Sequence, residues 1–285
     1  MIIHRTKQII REHRFFNKKK LGQNFLIDPL VLDQIIEKSE ITSESNVLEI
    51  GAGLGSLTEA LAMHAKQVVS FEIDRGLEDL LKENLSPYAN VCLYFQDFLQ
   101  VDLADILMSV FHGEPVCVVA NVPYYITTPI LFKILEYSQI KSSLLMVQKE
   151  VGQRLTGQPN TKDYNALSVY MAYKTEAAIV GKVSRKSFYP APDVDSVLLR
   201  VDAIKSDYRL NNEVKFLKFI RELFAMRRKT LVNNLIGQYG LDKPKIEETL
   251  WQLELSKTIR SEELSLEQII QLYTIMVEGG TGDDD

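Results

Sequence analysis

The chain has 285 residues, of which 46% are hydrophobic and 25% are charged, and its formal net charge is −5. This length is enough for one large domain and a small one, and the composition excludes a disordered or fibrous protein. No apolar run approaches the roughly 20 residues that a membrane-spanning helix needs, because charged residues interrupt each one, so we expect no membrane partner.

The chain begins with a basic segment that has weak helical spacing over residues 3–16. Residues 1–20 are rich in Arg and Lys and contain one acid, Glu12, and a second basic group lies at residues 221–229. Such segregation permits a local basic surface for nucleic acid on an acidic protein, although a basic chain end is also typical of a solvated terminus. The first residues lack the apolar run and cleavage site of a secretory signal, so we expect a cytoplasmic location.

The elements that follow alternate between helix and strand. Helical spacing predicts a helix over about 29–40, with Pro29 in its first turn and Asp28 as its N-cap. Short apolar runs then predict five strands, at residues 47–50, 68–73, 91–95, 116–120 and 144–147. Two further stretches, at about 175–183 and 196–202, predict antiparallel edge strands. This order is typical of the α/β class, with a doubly wound, mostly parallel, Rossmann-like sheet whose ligands bind beyond the carboxyl ends of the strands.

The character of the chain changes at about residue 205, after which apolar residues repeat at helical spacing without a strand pattern. We therefore predict three parts: a sheet domain over residues 1–204, a small all-α domain over 205–278 and a disordered tail over 279–285. The two cysteines, Cys92 and Cys117, fall in predicted buried strands and form neither a disulfide framework nor a zinc pattern. We expect inert thiols, a reducing compartment and no metal.

Three glycines, Gly51, Gly53 and Gly55, follow the first predicted strand of the sheet. Glycines at a strand-to-helix turn let the chain turn sharply and bring backbone N–H groups close to a ligand. Their spacing differs from the G-x-G-x-x-G fingerprint of dinucleotide sites, in which a helix N-terminus holds a diphosphate. S-adenosylmethionine has no phosphate, and its carboxylate and ribose still benefit from nearby backbone N–H groups.

An acid follows each of the next two predicted strands. Glu72 lies about 20 residues beyond the glycines, where a carboxylate suits ribose hydroxyls in nicotinamide and S-adenosylmethionine enzymes alike. Asp97 follows the third strand and is placed to accept from an adenine amine, with Phe98 as an apolar wall. Each acid alone is equally explained as a strand-end cap. Their occurrence with the glycine turn favours a cofactor site.

The fourth predicted strand runs into Asn121-Val122-Pro123-Tyr124. An aromatic amine is a poor nucleophile because its lone pair is delocalised into the ring. Two acceptors, the Asn121 side-chain oxygen and the Val122 carbonyl, would favour a tetrahedral nitrogen whose lone pair points at a sulfonium methyl. Pro123 would fix the backbone that presents this carbonyl, and Tyr124 would stack on the base. A simpler interpretation is a proline turn that leaves a strand.

Together these segments resemble the ribosomal RNA adenine dimethyltransferase family. Residues 19–26 are similar to its N-terminal cofactor motif, residues 188–196 to its F-x-P-x-P-x-V-x-S segment, and residues 224–235 to the members that act on small-subunit ribosomal RNA. The resemblance, which spans roughly residues 18–235, implies transfer of methyl groups from S-adenosylmethionine to N6 of two adjacent adenosines near the 3′ end of that RNA. We expect a monomer that acts on an assembling small ribosomal subunit.

Pattern and resemblance together give a set of predicted site residues. Those predicted for catalysis are Asn121, Val122, Pro123, Tyr124 and Phe188, the last by resemblance, as a stacking partner of the base opposite Tyr124. Those predicted for the cofactor are Gly51, Gly53, Glu72, Ile73, Asp97, Phe98 and Asn121, with Asn24 and Leu26 added by resemblance. Those predicted for RNA phosphates are Lys18, Lys19, Lys20, Arg227, Arg228 and Lys229.

Three other functions remain open at this stage. A related branch methylates large-subunit ribosomal RNA and confers antibiotic resistance, and it shares the Asn-x-Pro-Tyr loop. A non-catalytic assembly factor with the same fold and a nicotinamide dehydrogenase are disfavoured by the intact acids and by the glycine spacing. Ala52, Gln96 and Tyr125 stand where many family members have Pro, Gly and Asn, and none of these differences removes a proposed contact atom. The basic residues 227–229, predicted to open a helix, are equally typical of a solvated helix start.

Overall fold

The computed structural model describes residues 1–12, 23–121, 126–204, 208, 210–226, 228–236 and 241–279. The chain divides into two compact units. The sheet unit comprises Met1–Gly152 and Ala177–Ala203, and the helical unit comprises Gln153–Glu176 and the residues from Ile204 onward. The change near residue 204 coincides with the predicted boundary, but residues 153–176 join the helical unit rather than the predicted sheet domain. The predicted disordered tail lies almost wholly outside the described residues.

The described elements are nine strands and twelve α-helices. The strands are β1 (Phe25–Leu26), β2 (Asn46–Ile50), β3 (Gln67–Glu72), β4 (Val91–Phe95), β5 (Val116–Asn121), β6 (Ile140–Gln148), β7 (Thr175–Val183), β8 (Phe188–Tyr189) and β9 (Ser196–Ala203). The helices are α1 (Ile2–Glu12), α2 (Pro29–Ser39), α3 (Ser56–His64), α4 (Glu78–Leu85), α5 (Leu103–Ser109), α6 (Thr127–Leu135), α7 (Lys149–Leu155), α8 (Ala166–Lys174), α9 (Glu213–Leu223), α10 (Leu231–Asn234), α11 (Lys243–Gln252) and α12 (Leu266–Tyr273).

The main sheet has seven strands in the order β4-β3-β2-β5-β6-β9-β7. The pairs from β4 to β6 are parallel, and β6 pairs with β9 in the antiparallel sense. This topology confirms the predicted doubly wound, mostly parallel sheet. In the register Ile50 lies beside both Phe71 and Ala120, so the carboxyl ends of β2, β3 and β5 meet at one edge of the sheet.

Burial along the strands follows their position in the sheet. Every residue of β2 is buried, as expected for a central parallel strand. Every residue of β4 is only half-buried, because this strand forms an edge of the sheet. The prediction that both cysteines lie in buried strands is therefore wrong for Cys92 in β4, whereas β5, which carries Cys117, is mostly buried; both cysteines are half-buried free thiols.

The two helices described between the N-terminus and β2 differ in how they are stabilised. Helix α2 is confirmed, with Pro29 in its first turn and the Asp28 carboxylate accepting from the Leu30 N–H at 3.1 Å. Helix α1 depends on packing instead, since Ile2 and Ile9 are buried in the apolar cluster around the glycine turn. No helix in the described part of the chain is long and apolar enough to cross a membrane.

The described regular elements from residue 204 onward are all helical, as predicted. Their core is aromatic, with Tyr273 packing on Phe216 and Phe219 at ring-centroid distances of 5.2 and 5.6 Å. Tyr173 of α8 packs on Phe216 at 5.2 Å. This contact explains why residues 153–176 belong with the C-terminal helices although they lie between two strands in the sequence.

Candidate active site

A cavity of about 220 Å³ opens in the sheet unit beyond the carboxyl ends of the parallel strands β2 to β5. From β2 the chain continues outward to β3 and β4 on one side and then returns to β5 on the other side of β2. Doubly wound sheets bind their ligands at such a switch point. The residues predicted for the cofactor all line this cavity: Asn24, Leu26, Gly51, Gly53, Glu72, Ile73, Asp97, Phe98 and Asn121. Segments that are far apart in the sequence therefore converge on one space.

The glycine turn between β2 and α3 forms the floor of the cavity. Gly51, Gly53 and Gly55 have φ angles of 89°, 58° and 89°, in the left-handed region that side chains disfavour. A Cβ atom on Gly51 would also lie 3.2 Å from the carbonyl oxygen of Asn121. Glycine at position 51 therefore permits a close approach between the turn and the end of β5, as well as the turn itself.

The backbone N–H groups of this turn are used within the protein. Those of Gly51 and Ala52 donate to the Phe71 carbonyl at 2.8 and 3.1 Å. That of Gly53 donates to Glu72 Oε2 at 2.8 Å. The expectation that these N–H groups face a ligand is thus wrong for the three residues. Their bonds instead fix the turn against β3.

Glu72 is buried at the end of β3 with both carboxylate oxygens engaged. Oε2 accepts from Gly53, and Oε1 accepts from the Asp74 N–H at 2.8 Å. Burial raises the pKa of Glu72, and backbone hydrogen bonds from Asp74, Gly53 and Ile73 act in the opposite direction by favouring the ionised form. These bonds are those of a strand-end cap. An ionised carboxylate has about four lone-pair sites, so these bonds do not exhaust the capacity of Glu72 to accept from a ligand hydroxyl.

The turn after β4 supplies a second carboxylate and an aromatic wall. Asp97 Oδ1 accepts from the Leu99 N–H at 2.9 Å, which caps the short 3₁₀ turn Phe98–Gln100. The Phe98 ring meets Phe71 edge-on at 5.4 Å. Across the same cavity Ile73 is 51% exposed, although it is a large apolar residue. Exposed apolar surface next to carboxylates fits a ligand with a flat ring and polar edges.

The segment before α2 joins this site from the N-terminal side. Strand β1 pairs with β8 so that Leu26 lies beside Phe188. Gln23 Nε2 donates to Asp74 Oδ2 at 3.5 Å, and the ring of Phe25 lies 3.4 Å from a Cβ placed on Gly53. These contacts hold the N-terminal motif against both β3 and the glycine turn.

The predicted catalytic residues are only partly described. Asn121 ends β5 and lines the cavity, whereas Val122, Pro123 and Tyr124 lie outside the described residues. Phe188 is 3% exposed and belongs to the apolar core around Leu26. Neighbouring side chains thus bury its ring in this structure. A target base can stack on Phe188 only if these side chains move aside.

Of the two basic groups predicted to bind RNA, the structure describes residues of only the second. Arg228 and Lys229 are exposed, and residues 18–20 and 227 lie outside the described part of the chain. The prediction that this basic group opens a helix is wrong for the described pair. Helix α10 begins at Leu231, and the two side chains lie in the turn before it.

Glu49 is a buried acid, one residue before Ile50 of the cavity wall, that sequence patterns did not predict. It is fully buried in β2, and its Oε2 accepts from Thr58 Oγ1 and Ser70 Oγ, both at 2.6 Å. Its Oε1 has no hydrogen-bond partner among the described residues. Burial raises the pKa of Glu49 from 4.5 to about 7. The only sequence signal was an acid inside an otherwise apolar strand.

Several residues on the cavity wall were not predicted: Phe25, Ser56, Leu99, Ile126 and Ile130. The first three are sequence neighbours of predicted residues, so that a wider reading of each motif would have included them. Ile130 had no such signal, because it lies on α6 and reaches the cavity only through the way this helix packs.

Comparisons with known proteins agree with this geometry. The profile of the ribosomal RNA adenine dimethylase family matches residues 14–277. The chain is 44% identical over 279 residues to the ribosomal RNA small subunit methyltransferase A of Bacillus thuringiensis, and equally to that of Bacillus mycoides, with 96% of each chain covered.

Two solved structures show the same fold over nearly their whole length. A dimethyladenosine transferase from Plasmodium falciparum is 27% identical with a TM-score of 0.76, covering 90% of this chain and 98% of that one. The 23S rRNA methyltransferase ErmE is 28% identical with a TM-score of 0.71, covering 89% and 99%. The resemblance inferred from the motifs is thereby confirmed. The chain belongs to the ribosomal RNA adenine dimethylase family of S-adenosylmethionine-dependent methyltransferases.

Proposed function

We propose that this protein transfers methyl groups from S-adenosylmethionine to N6 of two adjacent adenosines near the 3′ end of small-subunit ribosomal RNA, two to each. The observation that carries the chemistry is the position of Asn121 at the end of β5, on the wall of the cavity and beside the glycine turn. The choice of RNA is supported by the 44% identity, over almost the full length, to proteins named small subunit methyltransferases.

The residues on the cavity wall suit the parts of the cofactor. We assign the ribose hydroxyls to Glu72, whose oxygens keep free lone pairs, and the adenine amine to Asp97. Ile73 and Phe98 would enclose the purine ring between apolar surfaces. When bound, the cofactor supplies an electrophilic methyl group on a sulfonium.

The work of the protein is to prepare the adenine amine. The Asn121 amide oxygen would accept one N–H of that amine and the Val122 carbonyl the other, so that the nitrogen becomes tetrahedral with its lone pair directed at the methyl group. Asn121 is neutral and does not act as a base. The positively charged product amine loses its proton readily to water. The rest of the acceleration comes from in-line placement of the two reacting atoms.

The protein would bind the RNA through its phosphate backbone and would accept one target adenine at a time in the pocket. The target adenine would leave its stack and enter the pocket beside Asn121, with Tyr124 as a stacking partner and Phe188 as a second one after the residues that bury its ring move aside. Phosphates would meet the two basic groups, Lys18–Lys20 and Arg227–Lys229. We further propose that the protein acts as a cytoplasmic monomer on an assembling small ribosomal subunit and that the reaction assigns no role to a metal.

A large-subunit target is the second candidate, because the structure of the 23S rRNA methyltransferase ErmE matches with a TM-score of 0.71. The two are separated by incubating the protein and labelled S-adenosylmethionine with assembling small and large subunits whose rRNA lacks these methyl groups, followed by mass spectrometry of the rRNA fragments. We expect two neighbouring N6,N6-dimethyladenosines near the 3′ end of the small-subunit RNA. Label confined to large-subunit RNA would overturn the choice of target, and no label in either RNA would overturn the activity.

A further inference from the structure

A lysine outside the predicted site holds the turn that carries Asp97. Lys133 lies on α6, and its ammonium donates to the carbonyl oxygens of Phe98, Leu99 and Val101 at 3.0, 3.0 and 2.6 Å. A lysine ammonium has three N–H donors and no acceptor. One side chain thus uses its full donor capacity on three carbonyls of a single short turn.

The charge of Lys133 also fits this position. Its Nζ lies 5.3 Å from the centroid of the Phe98 ring, within range of a cation–π interaction. Partial burial lowers the pKa of Lys133, while the carboxylates of Asp97, Glu136 and Asp102 raise it.

Besides the packing of Phe98 on Phe71, hydrogen bonds within the turn hold its shape. Its internal bonds are those from Leu99 to Asp97 Oδ1, from Gln100 to the Asp97 carbonyl at 2.9 Å and from Val101 to the Phe98 carbonyl at 3.2 Å. Without a cation, the carbonyls that now converge on Lys133 would face one another in a half-buried place. Their repulsion would reorient the turn, and with it the Asp97 carboxylate and the Phe98 ring.

Helix α6 also connects this turn to the other side of the cavity. It begins at Thr127, shortly after Asn121, and Ile130 on the same helix lines the cavity. Ile130 and Lys133 are three residues apart and so lie on one face of the helix. Through Lys133, helix α6 is thus hydrogen-bonded to the turn that would meet the adenine of the cofactor. The same helix follows the Asn121–Tyr124 segment in the sequence.

We propose that Lys133 is a positioning residue for cofactor recognition, which sets the Asp97 turn so that it reads the adenine amine. This proposal rests on the proposed function, since it takes the cavity as the site of S-adenosylmethionine. The residue touches no cofactor atom in this scheme. It acts through Phe98, Leu99 and Val101, whose carbonyls it binds.

The test compares two ligands that differ at the position Asp97 would read. S-adenosylhomocysteine carries the adenine amine, and S-inosylhomocysteine has an oxygen in its place, which offers Asp97 no donor there. Their dissociation constants are measured by isothermal titration for the wild-type protein, Lys133→Met and Lys141→Met. Lys141 is a matched control, because its ammonium donates to a carbonyl, that of Ser138, in an exposed turn.

We expect the wild-type protein and Lys141→Met to prefer S-adenosylhomocysteine by tenfold or more. Lys133→Met should bind that ligand at least tenfold more weakly and should lose most of the preference. A loss of folded protein alone would lower the binding stoichiometry and leave the ratio of the two constants unchanged. An unchanged ratio in Lys133→Met would overturn the proposal, as would a wild-type protein without preference. Failure of the wild-type protein to bind either ligand would instead refute the proposed cofactor site.

Discussion

Polar side chains at the strand ends of the sheet unit and in the core of the helical unit have opposite roles. In the sheet unit Glu72, Asp97 and Asn121 stand at strand ends and line a cavity. In the helical unit Asn234 donates to the Leu223 carbonyl at 2.9 Å, and Tyr164 donates to the Leu264 carbonyl at 2.9 Å. The first group keeps acceptor sites open to a ligand, whereas the second closes on backbone of its own unit. Substitutions at these strand ends should therefore change ligand chemistry, and those in the helical core should change stability.

Of the predicted changes, Asn121→Ala should have the largest effect, and the quantity affected is the rate of methyl transfer. Removal of the amide oxygen takes away an acceptor that acts in the transition state, so kcat for methyl transfer should fall by at least about 100- to 1000-fold. Filter binding of labelled methyl groups on small subunits measures the rate. The affinity for S-adenosylhomocysteine, measured by isothermal titration, should stay within about threefold of the wild-type value. Unimpaired turnover by this variant would refute the role of Asn121.

Glu49 sharpens the comparison, because it is a polar group of the sheet unit that faces no ligand. Burial raises its pKa from 4.5 to about 7, so between these values the folded state holds a proton that the unfolded chain releases. The contribution of this carboxyl to the free energy of unfolding is complete below about pH 4.5 and is lost as the pH rises to about 7. At about 1.4 kcal/mol per pKa unit the loss is on the order of 3 kcal/mol.

Glu49→Gln removes this titration while keeping an acceptor for Thr58 and Ser70. Urea unfolding at pH 5, 6, 7 and 8 should show the variant gaining stability relative to the wild-type protein as the pH rises, with most of the gain below pH 7. Glu83→Gln, at an exposed position of α4, is the control and should run parallel to the wild-type protein. Parallel curves for Glu49→Gln would mean that the carboxyl does not titrate in this range.

Sequence patterns predicted most of the sheet unit because its signals are local. The strand runs, the Asp28 cap and the glycine turn each occupy a few neighbouring residues, and parallel topology then brings the strand ends together. Glu49 and Lys133 were missed because their partners are distant: Ser70 lies on another strand, and the carbonyls that Lys133 binds lie more than 30 residues away. Such pairings depend on packing, which no local pattern reports.

Gly51→Ala tests whether the glycine turn supports the cavity or only folds the chain. The methyl group would meet the Asn121 carbonyl at 3.2 Å, so the affinity for S-adenosylmethionine should fall by about tenfold or more. Gly113→Ala is matched, because Gly113 also has a positive φ, of 72°, and its Cβ would meet only the flexible Met108 side chain at 3.5 Å. Isothermal titration compares the two variants. Equal affinities would mean that the contact with Asn121 is unimportant.

Asn234→Ala tests the other side of the comparison, in the helical unit. Asn234 is buried, and its amide also lies 3.4 Å from the Met226 carbonyl. Removal of this donor takes away its bonds to the Leu223 and Met226 carbonyls, which keep their bonds from Ser261 and Lys229, and should lower the free energy of unfolding by about 0.5–1.5 kcal/mol. The neighbouring Asn233 is exposed, and Asn233→Ala should change stability little. Urea unfolding measures both variants. A changed affinity of Asn234→Ala for S-adenosylhomocysteine would break the division between the two units.

The smallest expected effect concerns the exposed surface of the helical unit. If Arg228 and Lys229 bind phosphates, their double replacement by Gln should weaken RNA binding a few-fold. The slope of the logarithm of the binding constant against the logarithm of the salt concentration should become smaller in magnitude by about one to two. The double Gln variant of Lys243 and Lys245, which are equally exposed on α11, keeps the change in net charge the same.

The two double variants are compared by fluorescence anisotropy with a labelled RNA hairpin at several salt concentrations. A loss of slope in the Arg228 and Lys229 variant alone would locate phosphate contacts in the turn before α10. Equal losses in both would indicate a general effect of net charge, since screening acts on all exposed charges alike. In that case the RNA-binding role of the helical unit would have no support from this turn, and the basic segment at residues 18–20 would be the remaining candidate for the phosphate contacts.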